Sequence, residues 1–311
     1  MTGGLAAGRQ HAMHMVVSYW SASPWVLAPL VLIAAVHLHG LRGLAADARR
    51  AGRRGPTGLG REAAVFYLGM LAVALALVSP VGYWAQRFVW VRSAQDLLLA
   101  VVAPALVVLG APWLALRRGM PLRPRPRTQE RRAVVSPPEE AMGWLRLPIA
   151  LTVAFNAAWC GWHVPFLYDA GRTRPVVFAG EVATYLGAGV LFWLQLIGSR
   201  PHVPRLAPAR RAVLVVAAAV VGSGLAMVLV FGSGVLYPGY RGSEHHALSV
   251  VADQQVGGAV LWVIMLVPYS VVLMALLIGW LNQEESADLA AGLNRLLKPA
   301  KPAWPSRPGV R

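Results

Sequence analysis

Cysteine is nearly absent from this chain: Cys160 stands alone among 311 residues. A single thiol excludes an intrachain disulfide framework and leaves Cys160 the role of a small buried hydrophobe. Acidic residues are also scarce, 13 against 29 Lys and Arg, and the lysines are limited to Lys298 and Lys301. The stretch 253–281 therefore holds no lysine, which excludes a retinal-type Schiff base in that segment. Only 14% of the residues are charged while 57% are hydrophobic, with a mean hydropathy of +0.53. That balance excludes an ordinary soluble domain and predicts a polytopic membrane protein. The first 23 residues lack an apolar core leading to a small-residue cleavage site, so the first apolar run is expected to act as the insertion signal. No internal repeat is evident, which argues against a transporter built from repeated halves.

What the chain does contain is seven apolar runs of roughly 20 residues, the length that crosses a bilayer as a helix. They fall near 24–42, 63–85, 93–116, 148–167, 176–198, 212–235 and 253–281. Basic residues divide unevenly across them. The segments 42–62, 117–147, 199–211 and the tail after 281 hold 23, whereas the opposite side holds only Arg9, Arg87, Arg92, Arg172, Arg174 and Arg241. Short basic loops stay in the cytoplasm. The fold expected is therefore an all-α, seven-helix transmembrane bundle with its N-terminus outside and its C-terminus inside. The net charge of +16 is accounted for by topology and anionic lipid headgroups. Membrane lipids are thus expected partners and nucleic acid is not, since no groove-reading or base-stacking motif accompanies the arginines.

Three parts follow: an extracytoplasmic tail at 1–23, a membrane domain at 24–281 and a basic cytoplasmic tail at 282–311. Within the domain, the proline-rich charged loop 117–147 reads as a disordered linker. Pro80, Pro104, Pro112 and Pro268 are expected to interrupt their helices. Ala217, Ala218, Ala219, Gly222, Ser223 and Gly224 would let another helix approach closely. In the tail, Ser286 can cap a renewed helix with Leu289, Leu293, Leu296 and Leu297 on one face.

Ionisable groups are costly in hydrocarbon and usually mark a site. At about 1.5 Å per residue, His163 and Glu181 lie roughly one turn inside the outer ends of the fourth and fifth spans. Arg92 and Asp96 open the third span at that level, four apart and so on one face. Asp253, Gln254 and Gln255 open the seventh. Trp162, Tyr168, Tyr185 and Trp262 surround this layer. The expected site is thus Arg92, Asp96, His163, Glu181, Asp253 and Gln254, with His163 and Glu181 as candidate metal ligands. Simpler readings stand beside it: an Arg92–Asp96 ion pair, and Glu181 and Asp253 as helix N-caps. His11, Met13, His14 and Met15 form a second candidate group, because imidazole and thioether suit cuprous copper; accidental spacing in a disordered tail is the alternative. His245 and His246 fall in an outer loop, while His37 and His39 are expected at the inner interface.

Three motifs carry a family resemblance. Val102–Pro112 (VAPALVVLGAP), Trp162–Ala170 (WHVPFLYDA) and Ala252–Trp262 (ADQQVGGAVLW) are similar in order to those of the multi-pass CtaG family, cytochrome c oxidase assembly factors of bacterial membranes. ALVSPVGYWA at 76–85 and LFWLQLIG at 191–198 extend the match. The resemblance implies a multi-pass protein of the bacterial cytoplasmic membrane that assists maturation of a haem–copper oxidase, with oxidase subunits as partners and copper as the metal handled. It implies no catalytic activity. The chain departs from the family pattern where two histidines four apart precede the VAP motif, since Arg92 and Asp96 stand there, and where Glu181 is followed by Val182 instead of His. The alternative is a copper or small-solute transport or resistance protein, which would need a polar path through the inner half as well. There, Asn156 is the main polar residue. Bis-histidine haem is disfavoured because His37 and His163 lie at opposite ends.

Overall fold

A computed structural model describes residues 19–21, 23–52, 58–120, 143–241 and 248–297. Among these the regular elements are helices, with α1 (Pro24–Arg50), α2 (Leu59–Val78), the short α3 (Pro80–Trp84), α4 (Val89–Leu109) and α5 (Trp113–Gly119). There follow α6 (Gly143–Trp162), α7 (Pro165–Thr173), α8 (Pro175–Leu196), α9 (Pro208–Phe231) and α10 (Val250–Leu297). Six of these helices are long and apolar enough to cross a membrane, and the bent pair α6–α7 makes up to seven. The N-terminal group His11, Met13, His14 and Met15, the loop pair His245 and His246, and most of the 117–147 linker lie outside the described residues.

Prolines set several helix boundaries. A residue before proline is pushed out of the α region, and Ser79 is extended with ψ 173° ahead of Pro80. The second apolar run is therefore α2 and α3, not one helix, with Ser79 Oγ accepting from Val81 N–H at 3.2 Å. Val164, at φ −63° and ψ 129° ahead of Pro165, turns the chain by 72° between α6 and α7. Inside α4 a π-helical turn spans Leu98–Val102, directly before Pro104. Proline has no N–H for the carbonyl four residues back, and the wider turn absorbs that loss. Pro268 does not interrupt its helix: α10 continues through it and through Ser286. Ser286 caps nothing and donates to the Asn282 carbonyl, because no breaker in 281–297 ends the preceding turn.

Burial sorts the helices. In α4 72% of the spanning window is buried, against 11% in α1, so α4 is the central helix and α1 sits at the rim. The first turns of this central helix carry Arg92, Ser93, Gln95 and Asp96, all buried. In α1, His37 is also buried; its Nδ1 lies 3.2 Å from Tyr67 Oη and its ring packs on Phe66. Of the small residues of α9, Gly222 admits α10: a Cβ there would stand 2.4 Å from Met265 Sδ, whereas one on Gly224 meets nothing within 4 Å. On the facing helix a Cβ on Gly258 would stand 2.9 Å from the Ala226 carbonyl, so a side chain there would force the backbones apart.

Candidate functional site

The centre of the site is a buried cation. Arg92, in the first turn of α4, has no solvent exposure, and its Nε lies 3.3 Å from Oδ1 of Asp96 one turn below. Its Nη2 donates to Oε2 of Glu181, which projects from the second turn of α8. The guanidinium is walled by the rings of Phe178 at 4.9 Å and Tyr168 at 5.6 Å. Cation–π contacts of this kind strengthen when water is excluded. Neither simple reading survives unchanged: the Arg92–Asp96 pair is a triad, and Glu181 serves Arg92, not its own helix end.

His163 completes the group from the α6–α7 turn. Its Nδ1 lies 2.8 Å from the Trp159 carbonyl. A carbonyl can only accept, so Nδ1 carries the hydrogen and the neutral ring keeps its lone pair on Nε2. That Nε2 faces Oδ2 of Asp96 at 3.9 Å. It has no hydrogen-bond partner, and neither does either Asp96 oxygen or Oε1 of Glu181. Arg92 Nε and Nη1 are likewise without a hydrogen bond, so the cluster is held by charge pairing at short range and not by a full set of hydrogen bonds.

The α7 helix and the segment after α9 roof the site. Tyr168 stacks on Tyr237 at 4.0 Å, and Tyr237 Oη donates to the His163 carbonyl at 3.1 Å. Tyr240 Oη donates to the Ala85 carbonyl at 2.9 Å, while Asp169 accepts from Gly239 N–H at 3.1 Å. Gly171 lies so close that a Cβ there would stand 2.6 Å from Glu181 Oε2. Tyr237, Tyr240 and the roof role of Asp169 escaped the sequence reading. The Tyr-Pro-Gly-Tyr turn at 237–240 was the available signal, since two tyrosines in a tight turn between spans have apolar bodies to bury.

Asp253 and Gln254 do not share contacts with Arg92. Asp253 accepts from Val89 N–H at 2.7 Å and Trp90 N–H at 3.2 Å, so it caps α4 from the neighbouring α10 and not its own helix. Gln254 accepts from Leu236 N–H at 2.9 Å and holds the loop after α9. The six-residue layer thus resolves into a four-residue charged site and two residues that position its frame. Trp162 donates to Thr184 on α8. Lower down, Thr152 receives a hydrogen bond from Gln195 at 3.0 Å, and Asn156 donates to the Thr152 carbonyl, so the polar content there exceeds Asn156 alone.

Among the described residues no three His, Cys, Asp or Glu come together as a metal ion requires. Asp96 and Glu181 approach the same guanidinium, and His163 faces Asp96. The described residues therefore do not fit a resident copper ion.

No curated protein and no solved structure matches the chain. The family model of the cytochrome c oxidase caa3 assembly factors, Caa3_CtaG, matches residues 41–283, a stretch that contains α2 through the spanning part of α10 and all four residues of the charged site. With that match over most of its length, the chain belongs to the family of cytochrome c oxidase caa3 assembly factors.

Proposed function

We propose that this protein matures a haem–copper oxidase in the bacterial cytoplasmic membrane without catalysing a reaction, acting from the outer face through the Arg92–Asp96–Glu181–His163 site. The observation that carries the reading is the sealed charged site inside a chain of this family. Four ionisable residues from three segments converge in the bundle interior. Their burial has an energetic cost that packing alone does not require. An outer position is supported by charge: the site lies at the end of the bundle opposite the 42–62, 117–147 and 199–211 arginines, which favour the cytoplasm. This gives an N-out, C-in chain. The partner is an oxidase subunit, and copper enters as that subunit's cargo.

Deleting the gene tests the reading. Oxidase activity in membranes should fall while the oxidase subunits remain transcribed. Added copper should restore little of it, because the site is built around a guanidinium and not around free ligands. Unchanged oxidase activity in the deletion strain would contradict the assembly role, and full restoration by copper would make delivery the dominant step.

A further inference from the structure

Basic residues are disfavoured at the outer end of a membrane bundle, yet four of the six arginines on that side stand around one tyrosine of the roof. Arg172 lies in the last turn of α7 with Arg174 two residues on, Arg241 follows the turn at Pro238–Tyr240, and Arg87 follows α3. Tyr240 ties these segments together. Its ring stands 5.4 Å from the Arg172 guanidinium, Arg241 is its chain neighbour, and its Oη donates to the Ala85 carbonyl, two residues before Arg87. Arg87 in turn lies 3.8 Å over the ring of Tyr83. Guanidiniums held against rings are pre-organised, so less freedom is lost when they pair.

Among the described residues no acid pairs with any of the four. Asp169, the acid nearest to them in α7, accepts from Gly239 N–H instead, and Glu244 lies outside the described residues. The opposite end of the bundle differs. There Arg50 and Arg118 meet Asp47 at 3.8 and 3.0 Å, and Arg200 meets Glu62 at 2.7 Å. Placement matters as much as charge. Tyr240 is 2% exposed and packs 6.0 Å from Tyr168, the ring that walls Arg92. The arginines therefore crown the roof of the charged site, where a protein approaching from the water phase would meet them.

We infer that Arg87, Arg172, Arg174 and Arg241 form a docking surface for an acidic segment of a partner protein, which presents Asp and Glu side chains to the roof. Guanidinium forks bind carboxylates through paired, charge-assisted hydrogen bonds, and complementary charge sets the register of such a contact. The inference rests on the reading above for the outer face and for the partner's identity, an oxidase subunit. The surface itself follows from charge and placement.

The probe is a glutamate-rich peptide carrying a photo-crosslinker, applied to spheroplasts of the deletion strain and to inverted vesicles, with labelling measured per molecule of each variant. On spheroplasts wild type should be labelled, and raised salt should weaken the signal. Arg172→Gln with Arg241→Gln should reduce it roughly tenfold, the scale of one lost charge-assisted bond. Arg61→Gln with Arg205→Gln, exposed at the opposite end, should leave it unchanged. Labelling that depends on Arg172 and Arg241 from neither side of the membrane would overturn the inference, whereas dependence seen only in inverted vesicles would contradict the outer face instead. Anionic lipid that co-purifies with wild type and is lost from the Arg172 and Arg241 variant would also overturn it, by assigning the patch to headgroups. Capture of oxidase subunits by tagged protein is scored separately. Wild type should capture them and the Arg172 and Arg241 variant should not. Patch-dependent peptide labelling without any captured subunit would support the surface and contradict the assembly partner.

Discussion

At the scale of single residues, the site is ordered by who depends on whom. Arg92 serves both Asp96 and Glu181, whereas Glu181 is paired with Arg92 and Asp96 with Arg92 and His163. Breaking a buried pair by removing one partner costs about 3–5 kcal/mol, because the other charge is stranded. Arg92→Ala strands two anions, Asp96→Ala or Glu181→Ala none, since Arg92 keeps the other carboxylate. Membrane abundance, followed by immunoblot, should fall most for Arg92→Ala and only modestly for either carboxylate variant. Arg92→Ala combined with Glu181→Ala should recover part of the loss. Additive losses in the combined variant would show that the two side chains do not share an environment. The Arg92–Asp96 part of this was legible in the sequence from the i, i+4 spacing. The role of Glu181 was not, because which faces of α4 and α8 meet is decided by packing over 89 residues of separation, and spacing carries no such information.

At the scale of elements, depth was legible and contact was not. Reading each helix by distance from its end placed His163, Glu181, Asp96, Asp253 and Gln254 in one layer, but a layer does not say which side chains face each other. Asp253 turned out to cap α4, a helix 164 residues away in sequence, and Gln254 to hold a loop. The breaker at Pro80 was predicted, the one at Pro165 was missed inside the run read as 148–167, and Pro268 was wrongly expected to interrupt α10, where neighbouring helices allow the helix to run on. The roof carries a steric requirement at the charged site itself. A Cβ on Gly171 meets Glu181 Oε2 at 2.6 Å, whereas one on Gly187 in α8 meets nothing within 4 Å. Overpacking of this kind costs typically about 1–3 kcal/mol. Gly171→Val should therefore lower the thermal midpoint of purified protein by several degrees, with Gly187→Ala near wild type. Equal midpoints for the two would show that α7 does not press on the charged site.

At the scale of the whole molecule, one central polar helix inside an apolar bundle is the organising feature. Most of the α4 window is buried while α1 faces outward, so hydropathy alone ranks them alike and only the assembled bundle separates them. The fold class and family were legible because apolar runs, basic loops and the VAPALVVLGAP, WHVPFLYDA and ADQQVGGAVLW motifs are local features. The function proposed here rests on the site within that fold. The most direct test is complementation of the deletion strain, with oxidase activity normalised to the amount of each variant in the membrane. Glu181→Ala and His163→Ala should restore far less activity per molecule than wild type, while Gly187→Ala restores it fully. Wild-type activity per molecule from both Glu181→Ala and His163→Ala would contradict the account, because the charged site would then contribute only to stability.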